Sequence, residues 1–281
     1  MSVSRETSYV NHLEGSVSYK DVKRRRKDET RVIAIINQKG GVGKSTTSVN
    51  LSAALGEQKQ KVLVIDFDPQ GNTSSGYGID KEELDHCIYD ALLTGYDVEE
   101  LILPTCEKNV FVIPATIQLA GAEVELVSVM ARESRLKKVI DQVKDEFDFI
   151  FIDCPPSLGL LTINALVAAD SLLIPIQCEY YALEGVTKLL ESKAIVQQNL
   201  NPRLEVFGVL MTMYDSRTTL SNDVVAEVRK YFGKVVFKSV IPRSVRMSEA
   251  PSHGLPITMY ARTNKGAIAY KNLAKEVIKR A

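Results

Sequence analysis

Three patterns follow one another in residues 31–57, RVIAIINQKGGVGKSTTSVNLSAALGE: an apolar run, a glycine-rich segment and a helical pattern. Residues 32–36 form an apolar, β-branched run without polar alternation, which is typical of a strand buried on both faces. Residues 39–46, KGGVGKST, are rich in glycine, and residues 45–57 carry a helical pattern. A strand, a glycine-rich turn and a helix in this order form the context that a phosphate-binding loop requires.

The residue types in this loop suit the chemistry of a nucleotide triphosphate. Glycines let the backbone turn tightly and point its N–H groups at a phosphate, and the following helix start adds partial positive charge. Lys44 is expected to reach the β- and γ-phosphates, and the hydroxyl of Ser45 to complete a Mg²⁺ shell. The loop departs from the usual G-x-x-x-x-G-K-[ST] spacing, because Gln38 holds the first glycine position and Lys39 adds a second lysine. Since Lys44 already serves the loop, Lys39 could meet the phosphates of another nucleotide.

The alternation of strand and helix patterns continues along the chain. Apolar runs predict further strands at 62–65, 110–113, 149–152, 171–176, 206–212 and 235–241. Helical patterns cover 81–93, 123–146, 158–168, 181–199, 220–231 and 265–280. This alternation predicts a single α/β domain over 31–281, with a doubly wound, mostly parallel sheet and helices on both faces.

Three carboxylates follow predicted strands. Asp66 and Asp68 come directly after the strand at 62–65, and Asp153 ends the strand at 149–152. Parallel sheets bind ligands at the carboxyl ends of their strands. Carboxylates at that edge, beside a triphosphate loop, suit the coordination of Mg²⁺ and the orientation of an attacking water.

The charges of the chain are unevenly distributed, although 35 basic and 35 acidic residues give a net charge of zero. Residues 31–200 carry a net −10 and residues 201–281 a net +8. A nucleic-acid partner would explain a basic C-terminal third, and solvated surface charge is the alternative. Residues 1–30 are polar, contain a basic cluster at 23–27, and are expected to form a mobile tail.

The sequence also predicts a cytoplasmic protein. It lacks a signal-peptide pattern, and no apolar run approaches the ~18 residues that a membrane helix needs. The four cysteines contain no C-x-x-C pair, which favours free thiols over a zinc site or a disulfide framework.

Three motifs together, KGGVGKST (39–46), DFDPQGN (66–72) and DCPPSLG (153–159), strongly resemble those of the ParA/Soj partition ATPases, which have a deviant Walker A loop. Strings at 114–126, 177–185 and 241–254 are similar to the chromosomal branch of that family, and the resemblance covers about residues 31–281. It implies a P-loop ATPase that binds ATP and Mg²⁺, forms a homodimer when ATP is bound, and binds double-stranded DNA without sequence preference. Such proteins act in chromosome or plasmid partition with a ParB-type partner, so the resemblance implies association with the nucleoid.

The resemblance also implies roles for single residues. The catalytic residues would be Lys39, which reaches across the dimer to the partner's phosphates, Lys44, and Asp68, which orients the attacking water. The implied contacts to ATP are Lys39, Gly40, Gly41, Val42, Gly43, Lys44, Ser45 and Thr46, with Pro242 and Ser244 near the adenine. The metal site would use Ser45, Asp66 and Asp153, and the DNA-binding residues would be Arg217 and Arg246.

Two alternatives use the same kind of loop. A MinD-like, membrane-associated ATPase that positions cell division would need an amphipathic C-terminal tail. This chain stops at Ala281, directly after its last predicted helix, so no stable membrane association is expected. The other alternative is a metabolic or redox ATPase, such as a nitrogenase-type iron protein or an amide-forming synthetase. An iron–sulfur cluster would need positioned cysteines, but Cys154 and Cys178 lie within the partition-like strings.

Overall fold

A computed structural model describes residues 17–25, 29–180 and 182–281, and its centre is an eight-stranded sheet. The strands are β1 (Arg31–Ile35), β2 (Val62–Asp66), β3 (Leu103–Pro104), β4 (Val110–Ile113), β5 (Phe149–Asp153), β6 (Ser171–Gln177), β7 (Glu205–Tyr214) and β8 (Val236–Pro242). Their order across the sheet is β3-β4-β2-β5-β1-β6-β7-β8. The two-residue β3 pairs antiparallel with β4, and the other described pairs are parallel. The predicted fold class is confirmed.

The helices connect the strands and cover the sheet. They are α1 (Lys44–Glu57), α2 (Asn72–Gly76), α3 (Ile88–Leu93), α4 (Leu119–Glu125), α5 (Arg135–Ile140), α6 (Leu160–Ala168), α7 (Glu184–Asn199), α8 (Thr219–Phe232), α9 (Val245–Glu249), α10 (Ile257–Tyr260) and α11 (Lys265–Arg280).

The apolar runs of the central strands enter two separate cores. In β1, Ala34 belongs to the core on one face, whereas Ile33 and Ile35 belong to the core on the other. The first core includes Leu166 of α6, and the second includes Leu273 of α11. Successive strand residues point to opposite faces, so a strand covered on both sides must be apolar throughout.

Two predicted helices are shorter than their patterns indicated. The pattern at 123–146 is divided between α4 and α5, because Ala131 between them has a left-handed backbone with φ +53°. The pattern at 81–93 yields a helix only from Ile88, where the side chain of Asp90 accepts a 2.8 Å hydrogen bond from the backbone N–H of Cys87. Such caps fix a helix start.

Residues 17–25 pack against the domain, which the sequence did not predict. The ring of Tyr19 is buried, with its centroid 5.9 Å from that of Phe147 and 6.2 Å from that of Phe111. The backbone N–H of Arg25 donates a 3.0 Å hydrogen bond to Oδ2 of Asp148, at the start of β5. Residues 1–16 and 26–28 of the expected tail lie outside the described residues.

Candidate active site

The phosphate-binding loop lies between β1 and α1. Gly41 and Gly43 have left-handed backbone conformations, with φ +73° and +89°. Residues other than glycine adopt this conformation only at a cost in free energy. Gly43 is also the N-cap of α1, so the loop leads directly into the positive end of the helix. Oγ1 of Thr212 on β7 donates a 2.8 Å hydrogen bond to the carbonyl of Val42, which fixes the loop to the sheet.

A cleft of about 430 Å³ opens beside this loop. Its lining includes Asp68 and Gln70 after β2, and Pro156 after β5. The loop residues in the lining are Gly40, Gly41, Gly43, Lys44, Ser45 and Thr46. The structure therefore brings the glycine-rich loop together with one of the predicted carboxylates, while the side chain of Val42 is buried.

Lys44 is buried close to carboxylates. Its Nζ lies 3.4 Å from the carbonyl oxygen of Lys39. Burial lowers the pKa of Lys44, and the negative charges of Asp153 and Asp68 oppose this by raising it. An ammonium group removed from water needs anionic partners, and a phosphate bound in the cleft would supply them.

Asp153, the last residue of β5, is fully buried. Its Oδ2 accepts a 2.7 Å hydrogen bond from Oγ1 of Thr73, but Oδ1 has no hydrogen-bond partner among the described residues. Burial raises the pKa of Asp153, whereas Ser45, Thr73 and Lys44 lower it. A buried carboxylate oxygen without a donor is costly, and a hard cation or its coordinated water would satisfy it. Ser45 and Asp153 therefore fit a Mg²⁺ ion.

Asp66 faces Asp153 in register across β2 and β5, but its carboxylate is bound elsewhere. Its Oδ2 accepts hydrogen bonds of 2.7 Å from both the backbone N–H and the hydroxyl of Ser74 in α2. Burial and the neighbouring charge of Asp153 raise the pKa of Asp66. Among the described residues, no three or more Asp, Glu, His or Cys side chains group as a metal site. The carboxylate of Asp66 holds α2 in place, and its assignment to the metal stays a prediction.

Asp68 lies in a tight turn at the wall of the cleft. Its Oδ1 accepts a 3.0 Å hydrogen bond from the backbone N–H of Gln70, and its carbonyl accepts one of 2.9 Å from the N–H of Gly71. The turn fixes the carboxylate beside the loop, where it can accept a hydrogen bond from a water in the cleft.

Two glycines join this acidic side of the cleft to the segment at 250–255. A Cβ on Gly254 would lie 2.5 Å from Cα of Gly78, and both glycines have positive φ. Pro251 and Leu255, from the same segment as Gly254, line the cleft that Asp68 lines. The two walls of the cleft therefore contact each other backbone to backbone.

A second cleft, of about 500 Å³, adjoins the first. The two clefts share Gly43, Thr46, Met213 and Pro251. Pro242 and Ser244, which were predicted to lie near the adenine, line the second cleft. A nucleotide with its phosphates on the loop could place its base there, so the position of both residues suits the predicted contact.

Lys39 lines neither cleft. Its side chain is 45% exposed, and its Nζ lies 3.9 Å from Oε2 of Glu179. Oε1 of the same glutamate accepts a hydrogen bond of 3.3 Å from Nη2 of Arg243. The side chain is accessible to a second molecule, and its contact with a partner's phosphates stays a prediction.

The two predicted DNA-binding arginines follow neighbouring strands of the sheet, Arg217 after β7 and Arg246 in α9 after β8. Their side chains are 86% and 61% exposed. Arg217 binds Asp215 through two hydrogen bonds of 2.7 and 2.9 Å, and Nη1 of Arg246 lies 3.0 Å from Oε2 of Glu249. Both guanidinium groups reach solvent from the carboxyl ends of parallel strands, the sheet edge that also carries the loop.

Two other clefts, of about 460 and 570 Å³, lie at the opposite ends of the strands, near Thr30 and Arg203. Both are larger than the loop cleft. Their linings among the described residues contain no glycine, and no α-helix begins there that could receive a phosphate. The candidate site is therefore the cleft at the loop.

The chain is similar to several known proteins. A family model described as an AAA domain matches residues 30–206. The chain is 58% identical over 247 residues to the sporulation initiation inhibitor protein Soj of Bacillus subtilis, covering 88% of this chain and 98% of that protein. It is 52% identical over 250 residues to the chromosome partitioning protein ParA of Myxococcus xanthus, covering 89% and 88%.

The chain belongs to the ParA/Soj family of chromosome-partitioning ATPases. The resemblance described from its motifs is thereby confirmed. This ParA/Soj chain is also similar in structure to solved proteins. The cobyrinic acid a,c-diamide synthase of Mycobacterium smegmatis, solved with bound ATP analogue and magnesium, matches with a TM-score of 0.79 and 39% identity, covering 89% of this chain and 95% of that one.

The cell division ATPase MinD of Pyrococcus furiosus matches this ParA/Soj chain with a TM-score of 0.74 and 30% identity, covering 89% of this chain and 99% of that one. Within the described residues, no helix is long and apolar enough to cross a membrane.

Several cleft residues of this ParA/Soj chain escaped the sequence analysis, including Thr212, Met213, Gln70 and Pro251. A usable signal existed for the first two, because they lie at the carboxyl end of the predicted strand at 206–212, where parallel sheets bind ligands. Gln70 lies within the DFDPQGN motif but carries no charge. Pro251 lies in a segment that only the fold brings to the loop.

Proposed function

We propose that this chain is a Mg²⁺-dependent ATPase that dimerises when it binds ATP, binds DNA as the dimer, and acts in chromosome or plasmid partition with a ParB-type partner. The observation that carries the proposal is the single cleft in which the loop of Lys44 meets Asp68, next to the unpartnered Oδ1 of Asp153. Family membership supports the ATPase part, and structural neighbours solved with nucleotide and magnesium support the cofactors.

Different residues of the cleft act in phosphate binding, metal binding and water activation. Backbone N–H groups of the loop and the ammonium of Lys44 bind the phosphates and stabilise the negative charge of the transition state. Ser45 and Asp153 would hold Mg²⁺, which neutralises phosphate charge when bound. The carboxylate of Asp68 orients the attacking water beside the γ-phosphate, at the wall of the cleft.

Lys39 links nucleotide state to assembly. A cation that reaches the phosphates of a second copy stabilises the transition state there, an effect worth about 10³–10⁵ in rate where an arginine acts in this way. The same contact makes ATP part of a two-fold interface, so hydrolysis dissolves the dimer. The exposure of Lys39 supports this role.

DNA binding would use the exposed guanidinium groups of Arg217 and Arg246. The chain has a net charge of zero, so one copy has no overall attraction for DNA beyond its few exposed cations. A dimer presents twice as many of these cations. Since each phosphate contact releases counterions, the dimer gains affinity that the monomer lacks. We infer association with the nucleoid on this basis. The names of the close relatives favour partition over a MinD-like role in cell division.

The deciding experiment measures binding to a short DNA duplex by fluorescence anisotropy with ATP, with ADP and without nucleotide, at several salt concentrations. We expect binding only with ATP, weakening steeply as salt rises. ATP-independent DNA binding would remove the proposed switch. Binding to anionic liposomes with ATP, in the absence of DNA binding, would favour the MinD-like alternative.

A further inference from the structure

Met213 has an unusual backbone for its position. Its φ is +52°, in the left-handed region that residues other than glycine rarely adopt. Among the described residues, two other non-glycine residues have positive φ, Lys59 and Ala131. Lys59 follows the C-cap of α1 and Ala131 precedes a 3₁₀ turn, whereas Met213 lies inside strand β7.

The sheet is distorted at this residue. Met211 pairs with Val240 and Tyr214 with Pro242, so three steps along β7 match two steps along β8. One residue of β7 is therefore extra, which is the definition of a β-bulge. A bulge changes the direction of a side chain, and strained backbone of this kind is kept where the surrounding structure requires it.

The bulge places Met213 where the two clefts meet. Met213 lines both the cleft of the phosphate-binding loop and the cleft of Pro242 and Ser244. The preceding residue, Thr212, holds the loop through its hydrogen bond to Val42. Thr212 thus connects the loop to the second cleft, and the adjacent Met213 lies at the junction of the two clefts.

We propose that Met213 selects the base of the bound nucleotide, packing its thioether against a purine. The inference rests on the proposed binding of ATP and names a specificity residue for it. A flexible, polarizable thioether makes favourable contacts with aromatic rings. A purine presents a larger ring system to Met213 than a pyrimidine, so the contact favours ATP over CTP, which carries the same ribose and triphosphate.

The test measures the dissociation constants of ATP and CTP for four proteins: wild type, Met213→Gly, Met213→Leu and Thr212→Val. Glycine adopts positive φ readily, so Met213→Gly should keep the fold while it removes the side chain. We expect it to bind ATP about tenfold more weakly and to weaken CTP binding less, which lowers the preference for ATP. Met213→Leu restores apolar contact and should recover most of that preference.

Thr212→Val is the control for the loop contact: Thr212 also lines the second cleft, but valine has a similar shape and removes only the hydroxyl that binds the loop. It removes the hydrogen bond to the loop and should weaken ATP and CTP equally. If Met213→Gly leaves the ratio of the two constants unchanged, or if wild type shows no preference for ATP, the assignment of Met213 is wrong. A wild-type protein that binds neither nucleotide would instead refute the proposed ATPase function.

Discussion

The ammonium of Lys39 lies 3.9 Å from the carboxylate of Glu179, which also binds the guanidinium of Arg243. The carboxylate thus holds two cations, one proposed to reach a second copy and one on the segment that carries Ser244. Exposed ion pairs of this kind contribute about 0–1 kcal/mol, so the contact restrains Lys39 weakly. Lys39 therefore pairs with Glu179 of its own chain until a more highly charged anion, such as a triphosphate of a second copy, replaces that carboxylate.

Removing that restraint should favour the dimer. We expect Glu179→Gln to lower the dissociation constant of the ATP-bound dimer by up to about fivefold. In this variant Lys39 does not have to leave the Glu179 carboxylate before it can bind the phosphates of the second copy. Sedimentation velocity with ATP, over a range of protein concentrations, measures the effect. Glu191→Gln, at an exposed glutamate of α7, removes the same charge without this contact. A weaker dimer in Glu179→Gln would show that Glu179 itself bridges the two copies.

Asp68→Ala should separate binding from hydrolysis. We expect the hydrolysis rate to fall at least ~100-fold, since the carboxylate that orients the water is lost, while ATP still binds through the loop. Steady-state phosphate release and ATP titration measure the two properties. Asp80→Ala removes an exposed carboxylate a few residues further along the chain and should change neither. Unimpaired hydrolysis by Asp68→Ala would rule out its proposed role.

Arg246→Glu should strongly weaken the DNA affinity of the dimer but leave ATP-dependent dimerisation intact. The slope of log affinity against log salt should fall by about two, because a dimer presents the residue twice. Arg229→Glu makes the same charge reversal at an exposed residue in the last turn of α8, and we expect a much smaller effect. Equal losses in the two variants would indicate a general charge effect instead of a defined DNA-binding surface.

Tyr19→Ala should destabilise the domain by about 3 kcal/mol, since the ring is buried between aromatic side chains. Thermal unfolding measures the loss as a fall in Tm. Tyr231→Ala removes a ring that is 62% exposed and should change stability by less than ~0.5 kcal/mol. An unchanged Tm for Tyr19→Ala would mean that residues 17–25 add nothing to the stability of the domain.

The sequence predicted the sheet and the loop well, because both depend on local patterns. Seven apolar runs became strands, and the carboxylates lie at the strand ends where parallel topology places them. The burial of Tyr19 escaped prediction because its partners, Phe111 and Phe147, lie far away in the chain. The bulge at Met213 escaped because a single left-handed residue leaves no trace in an apolar pattern.

The contact between Gly78 and Gly254 has a consequence for how such a chain can diverge. Position 254 cannot acquire even a methyl group unless the backbone of Gly78 withdraws, since a Cβ on Gly254 would lie 2.5 Å from Cα of Gly78. A Cβ on Gly78 would have room at 3.4 Å, but the positive φ of that residue would strain it. A larger residue at position 254 is therefore expected to require a shift of the backbone around Gly78, although the two positions are distant in the chain. We therefore expect the wall that carries Asp68 and the wall that carries Pro251 to change together during evolution. Chimeric proteins that take only one of these walls from a relative should fold or function poorly.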